Sequence, residues 1–388
     1  METSELYQLD VKTFIQKAVS YALNHSYSIA FWKNPLEKDI HLSISIKEAK
    51  VGKIEVESSK PGFCFAPFNN TALNDSIFFE SDILYKITSN EVISLISNEM
   101  FNEKITTENN NSTLYLKESN ITDTAQKDYT TSIKEAIKTI QSTSLKKVIV
   151  SKVKTIQKPN NIDLIEKFLT IAEAYPNAFV SLVSSKQTGT WIGASPEVLI
   201  SIDKNNQFST VALAGTQKAE PNNPLKNAVW TQKEIEEQAL VARYVLLCFK
   251  SIRLREYEDI GPKTIKAGNL LHLKTDFTVN MNEVNFPNLG STMLELLHPT
   301  SAVCGMPKVD ALDFIKKHEN HNRSFYSGFL GPINIENETH LYVNLRCAQI
   351  TKNQVVFYAG AGITEDSDPE KEWLETEQKC AILGTIFN

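Results

Sequence analysis

Apolar residues recur along this chain with two periods, and the alternation of the two lays out its elements. Val11, Phe14, Ile15, Ala18, Val19 and Ala22 are spaced by three and four, which predicts a helix over 11–22. Short strands are predicted at 27–32 and 41–46, and the turn Lys60-Pro61-Gly62 precedes an aromatic strand, FCFAPF. Residues 76–87 read as extended and 91–100 as a short helix. The polar, Asn- and Thr-rich stretch 103–120 predicts a surface loop.

From residue 128 the pattern sharpens. Ile133, Ala136, Ile137 and Ile140 predict a helix over 129–142, followed by a strand over 146–156. A helix over 164–174 and a strand over 178–183 lead to an irregular turn, Gly193–Pro196, that enters a further strand. Residues 203–206 form a hairpin turn, and 208–213 the return strand. After a polar stretch with two prolines, 218–227, a long helix is predicted over 231–253. Its inward face carries Ile235, Ala239, Ala242, Leu246 and Phe249. A strand over 270–277, a helix over 309–319, the segment 323–331 that leads from it into a strand, and a hairpin of 340–351 with 354–359 complete the pattern. Asp368 before Pro369 reads as the N-cap of a last helix, with proline at its first position.

Several positions fit this pattern poorly and carry candidate chemistry. Lys147 alternates with Ile149, Ser151 and Val153 on one strand face. Most such lysines snorkel to water, but one held among apolar groups can lose its proton near neutral pH and act as a base. Glu197 opens an apolar run; a carboxyl desolvated there has a raised pKa and makes a general acid. Glu234 with Glu237, and Glu372 with Glu375, each share a helix face at i, i+3, and Lys379 continues the second face. Taken alone, such pairs are usually solvated surface. The glycine-rich Leu213-Ala214-Gly215-Thr216 and Tyr358–Ile363 expose backbone to a ligand, as anion nests do. Oxygen ligands of this kind suit magnesium, and the cationic groups suit a carboxylate or phosphate.

Composition narrows the classes. The chain has 388 residues and a formal charge of −6 with acids and bases interspersed, which argues against a nucleic-acid or anionic-membrane surface. Arginine stands only at 243, 253, 255, 323 and 346, so one near a candidate site is informative. Five widely spaced cysteines form neither a zinc pattern nor a disulfide framework, and reduced cytoplasmic thiols are expected. The polar N-terminus does not read as a signal peptide, and no apolar run reaches the roughly 20 residues of a membrane span.

The blocks KVIVSK, GASPE, LAGT, EEQALV, HLKT, LHPTSAVCG, E-x3-R-x2-Y-x-G, LRCA, YAGAGI and SDPEKEWLET-x2-K occur in this order. Together they resemble the chorismate-utilising enzymes, among them the isochorismate, salicylate, anthranilate and aminodeoxychorismate synthases. The resemblance covers 128–388, with 1–127 matching as a weaker N-terminal half. It implies an α+β fold in one chorismate-binding domain, two antiparallel sheets packed around a core with helices outside.

Within that family the chain resembles the isochorismate synthases. This implies a magnesium-dependent, reversible conversion of chorismate to isochorismate for menaquinone or siderophore synthesis. Lys147 is matched to the base that activates water for attack at C2, and Glu197 to the acid that protonates the departing C4 hydroxyl. Glu237 and Glu375 are matched to the main magnesium ligands, with Glu234 and Glu372 acting directly or through water. The match places Gly215, Thr216 and His272 at the ring carboxylate, Arg346, Lys379 and Gly360 at the enolpyruvyl carboxylate, and Tyr326 in the pocket wall. It implies a monomer with no glutaminase subunit. The chain departs from the usual blocks at Gln238 (usually His), Ser301 (usually Pro) and Lys152 (usually Arg). A salicylate synthase, a non-catalytic chorismate-binding module and, more remotely, a magnesium-dependent phosphoryl-transfer enzyme are the rival readings.

Overall fold

Strand pairing organises the molecule. The computed structural model describes residues 10–69, 71–106, 114–218, 225, 228–267 and 270–387. A ten-stranded sheet runs Gly305–Met306, Lys147–Gln157, Gln354–Ile363, Cys347–Ile350, Gly189–Ser195, Phe179–Ser185, Ser28–Lys33, Ile40–Ser45, Ile83–Ile87, Val92–Ile96. A nine-stranded sheet runs Glu258–Ala267, Leu270–Asn280, Gln207–Lys218, Val198–Ile202, Thr339–Val343, Phe329–Ile333, Gly62–Ala66, Ile77–Glu80, Lys50–Val51. The neighbours pair antiparallel, and both sheets draw strands from either side of residue 127.

The sheets face one another across an aromatic layer. Phe179 of the first stacks on Tyr342 of the second with ring centroids 4.2 Å apart, and Trp191 meets Phe65 edge to face. Buried aromatics of this size dominate such a core and favour offset or edge-on contact. Helices cover the outer faces. Val11–Asn24, Leu164–Ala174 and Pro369–Phe387 pack on the ten-stranded sheet through Phe14, Phe168 and Leu383. Gln232–Ser251 and Leu289–Leu297 pack on the nine-stranded sheet through Val245, Phe249 and Met293.

Helix starts follow the local sequence. Thr231 and Glu234 form a reciprocal capping box, which satisfies two otherwise unpaired N–H groups. Asp368 accepts from the backbone N–H groups of Glu370 and Lys371 at 3.0 and 2.9 Å, which fixes the entry to the C-terminal helix.

Some expectations need correction. The helix expected over 91–100 is an edge strand, Val92–Ile96, followed by a helix, Glu99–Thr106. A turn closed by Thr88 N–H to Glu91 O pairs that strand with Ile83–Ile87, and pairing overrides the local pattern. The same helix takes the start of the loop expected over 103–120, of which 107–113 lie outside the described residues. Most of the polar stretch 218–227 also lies outside them. The strand Glu258–Ala267 went unread because Gly261 and Pro262 interrupt it; it is an edge strand whose register shifts at that point. The helix Leu289–Leu297 was likewise missed. Among the described residues, no helix is long and apolar enough to cross a membrane.

Candidate active site

Two of the places where the chain passes from one sheet to the other lie side by side. Pro196 and Glu197 link Gly189–Ser195 to Val198–Ile202, and 344–346 link Thr339–Val343 to Cys347–Ile350. Backbone bonds fasten the crossings together: Val343 N–H donates to Glu197 O at 2.9 Å and Ala194 N–H to Arg346 O at 3.0 Å. Arg346 therefore does not alternate along a continuous hairpin strand, as its sequence neighbours suggested. It sits at the crossing with φ +45°.

Lys147 begins the strand Lys147–Gln157 and is buried, 7 % exposed. Its Nζ donates to Glu237 Oε1 at 2.6 Å. The stem lies over Gly362 of the paired strand, where an added Cβ would come within 2.8 Å of Lys147 Cε. Glycine there makes room for the lysine.

Glu197 accepts a long hydrogen bond, 3.4 Å, from Thr300 Oγ1. Burial pushes its carboxyl up to about 7, opposed by that hydrogen bond and by the charge of Lys147. The influence of Lys147 places the two groups in one neighbourhood. The turn that carries Thr300 is held by Arg323, buried at 2 % exposure. Its Nη1 donates to Val303 O and its Nη2 to Ile149 O, both at 2.8 Å, and Nε donates to Glu319 Oε2 at 2.8 Å. Glu319 Oε1 in turn accepts from Ser151 N–H at 2.7 Å. One guanidinium thus joins the Lys147 strand to the turn beside Glu197. Thr300, Arg323 and Glu319 were missed as individual site residues, although all three lie inside motif blocks that the sequence analysis singled out.

Gly215 lies within the strand Gln207–Lys218, not in a turn. It adopts φ +70° at a break in register between Ala214 and Gln217. A left-handed residue at a bulge re-aims the backbone, and glycine adopts it without strain. His272 on the neighbouring strand has Nδ1 3.0 Å from Gly215 O. Burial, aided by the nearby Arg346 guanidinium, holds the His272 pKa below the ordinary imidazole value. Gly215, His272 and Arg346 therefore form one group. Thr216 follows Gly215 in the strand, and its side chain lies outside the described residues.

A third group forms at Gly360. Lys379 Nζ donates to Gly360 O at 2.8 Å, and the hydroxyl of buried Tyr326 would lie 3.0 Å from an added Cβ there. Gly360 pairs with Ser151 and Gly362 with Ile149, so both glycines share the sheet face that carries Lys147.

The four carboxylates expected to hold magnesium are not assembled as a set. Glu234 Oε2 accepts from Thr231 N–H at 2.8 Å within its capping box. Glu237 pairs with Lys147, and Glu375 with Lys379 at 2.7 Å. Glu372 is half-buried and bears electrostatically on Tyr129. Among the described residues, no three His, Cys, Asp or Glu side chains stand close enough to share a metal ion. The oxygen donors are of the type magnesium takes; in this structure lysines hold two of them and a helix cap a third, so the ion would have to displace those partners.

The departures from the usual blocks are structural in two cases. Gln238, 2 % exposed, donates Nε2 to Ala212 O at 3.1 Å and to Thr275 Oγ1 at 3.0 Å, tying its helix to the sheet. Buried Lys152 pairs with Glu377 and lies 3.3 Å from the centroid of the Trp373 ring, fastening the C-terminal helix to its strand.

Comparison with known proteins agrees with this architecture. Residues 71–387 match the family model described as "Chorismate binding enzyme". Isochorismate synthase EntC of Escherichia coli K12 is 30% identical over 249 residues, 62% of this chain and 62% of that protein. Isochorismate synthase MenF of the same strain is 28% identical over 267 residues, 67% of this chain and 60% of that protein. The alignments thus span under two thirds of these relatives' own length. The solved structure of the menaquinone-specific isochorismate synthase MenF from Escherichia coli superposes with a TM-score of 0.77 at 20% identity, covering 96% of this chain and 91% of that one. Anthranilate synthase component I from Streptococcus pneumoniae superposes with a TM-score of 0.67 at 15% identity, covering 92% and 89%. At such identities the superpositions show a common fold, while the family match covers most of the sequence. The chain belongs to the chorismate-binding enzyme family.

Proposed function

We propose that this protein is an isochorismate synthase, an isomerase that interconverts chorismate and isochorismate. The observation that carries the reading is the pair of Lys147 and Glu197, a buried lysine in the neighbourhood of a carboxyl with its pKa raised to about 7. The names of the relatives at about 30% identity support the same choice within the family.

In the forward direction Lys147, as the free amine, takes a proton from the water that attacks C2 and becomes an ammonium, the form in which it pairs with Glu237. Glu197 holds a proton near neutral pH and gives it to the departing C4 oxygen, which leaves as water. The reverse reaction exchanges the roles. Gly215 and Thr216 offer backbone N–H groups to the ring carboxylate, with His272 beside them. Arg346 and Lys379 pair with the enolpyruvyl carboxylate next to Gly360, and Tyr326 closes the wall.

Magnesium, when bound, would supply positive charge at the ring carboxylate. Its proposed ligands are Glu237 and Glu375, with Glu234 and Glu372 behind them. The first two are paired with Lys147 and Lys379 in the structure, so the ion and the lysines compete for the same carboxylates. A cytoplasmic monomer acting on free chorismate, without a glutaminase subunit, completes the proposal.

Product analysis tests it. Purified protein with chorismate and magnesium is expected to give an equilibrium mixture of chorismate and isochorismate, lost on adding a chelator. Salicylate with pyruvate, or no conversion, would overturn the assignment. Lys147→Ala is expected to abolish conversion while chorismate affinity stays within a few-fold; unchanged turnover would remove Lys147 as the base.

A further inference from the structure

Beside Glu197 lies a partly enclosed cavity of about 20 Å³, lined by Glu197, Thr210, Tyr244, Thr300 and Ser301 among apolar neighbours. A space of roughly 10–15 Å³ holds one water molecule, provided two to four polar groups reach it. Three of the lining hydroxyls already donate elsewhere: Thr210 to Leu199 O at 2.8 Å, Tyr244 to Leu296 O at 2.8 Å, and Thr300 to Glu197 Oε1 at 3.4 Å. The fourth does not. Ser301 is 3 % exposed, and its Oγ has no hydrogen-bond partner among the described residues. A buried hydroxyl without a partner is unusual enough to need a cause.

We propose that this cavity is a site for one ordered water, anchored by Ser301 Oγ and hydrogen-bonded to the Glu197 carboxyl. Ser301 donates to the water, and the water donates to Glu197. The hydroxyls of Thr210 and Tyr244 keep free lone pairs for its second hydrogen. Such a water stabilises the carboxylate that Glu197 becomes after giving up its proton, because hydrogen bonds to an ionised acceptor are the stronger kind. Ser301 is then a positioning residue that acts on the acid through the water. Proline, the usual residue at this place in the motif, offers no donor. The catalytic part of this inference rests on the proposed function; the water site itself does not. Among the described residues, the other titratable groups near Glu197 are Lys147, from the strand Lys147–Gln157, and Tyr244, from the helix Gln232–Ser251.

Crystal structures of the wild type and of Ser301→Ala, at a resolution that resolves single waters, test the site directly. The wild type is expected to show a water within hydrogen-bond distance of both Ser301 Oγ and Glu197, and the variant to lose it. An empty cavity, or a water that touches only one of the two, overturns the site. The catalytic role is read from the pH profile of chorismate turnover. The forward reaction needs protonated Glu197, so its alkaline limb follows that group. Losing a donor to the carboxylate raises the Glu197 pKa, so the limb moves to higher pH. In Ser301→Ala, kcat is expected to fall by about tenfold, KM to stay within about twofold, and Ser301→Thr to restore both limb and rate. An unmoved limb overturns the role. A wild type that leaves chorismate unconverted sinks the isochorismate synthase reading, and the crystallographic test still decides the water site.

Discussion

Replacing Arg323 with glutamine should damage both stability and turnover, by an amount the structure allows to be worked out. The guanidinium is 2 % exposed and its partner Glu319 carries a side chain only 5 % exposed. Arg323 donates to Glu319, to Val303 O and to Ile149 O. Removing the cation leaves a buried carboxylate without its counter-charge, which costs about 3–5 kcal/mol in comparable pairs. The two carbonyls lose their donor as well, at about 1 kcal/mol each where they are not re-solvated. Glutamine recovers part of this, so a net loss of about 3–5 kcal/mol is expected, read as a lowered urea midpoint. Glu319→Gln in the same chain removes the orphaned charge. The double variant should therefore be less destabilised than the sum of the two single ones, by about 2 kcal/mol or more. At a urea concentration below either transition, Arg323→Gln should also slow turnover, because the Thr300 turn and the Lys147 strand lose their common tether. A midpoint shift worth under about 1 kcal/mol, or strict additivity of the pair, would refute the account of Arg323 as a buried, charge-compensated tether.

Three shorter expectations follow from the same geometry. Glu197→Gln should abolish turnover and yet stabilise the fold at pH 8. The folded-state pKa is raised from 4.5 to about 7, so folding loses stability as pH rises between those values, up to about 3 kcal/mol; a destabilised variant at pH 8 would contradict the burial of this carboxyl. Gly362→Ala should displace the Lys147 stem and lower kcat by about 10- to 100-fold with KM little changed, measured by steady-state kinetics. Glu375→Gln should sharply raise the magnesium concentration needed for half-maximal activity, and an unaltered requirement would leave this residue a surface partner of Lys379.

The sequence by itself determined the elements whose period and caps are local. The helices at 11–22 and 164–174, and the capped start at Asp368, are written in apolar spacing and in side chains that satisfy their own first turns; the helix expected over 231–253 forms, but its buried face is Val241, Val245, Cys248 and Phe249, while Ile235 and Ala239 of the expected face are exposed. The motif blocks marked Lys147, Glu197, Gly215, His272, Arg346, Gly360 and Lys379, and the structure draws them into three neighbouring groups. What the tertiary structure alone decided is how those groups come together. The segments that carry Glu197 and Arg346 lie side by side because the chain changes sheets at both places and backbone bonds join the two crossings. No periodicity signals a crossing, since its partners lie some 150 residues apart in sequence. Edge strands such as Glu258–Ala267 were illegible for a related reason: their hydrogen bonds come from a neighbour, so a Gly-Pro break that reads locally as a turn is tolerated within a strand. The pairing of Glu237 with Lys147 and of Glu375 with Lys379 was equally out of reach of the sequence. Spacing shows which charges share a helix face, but only packing decides which opposite charge they meet.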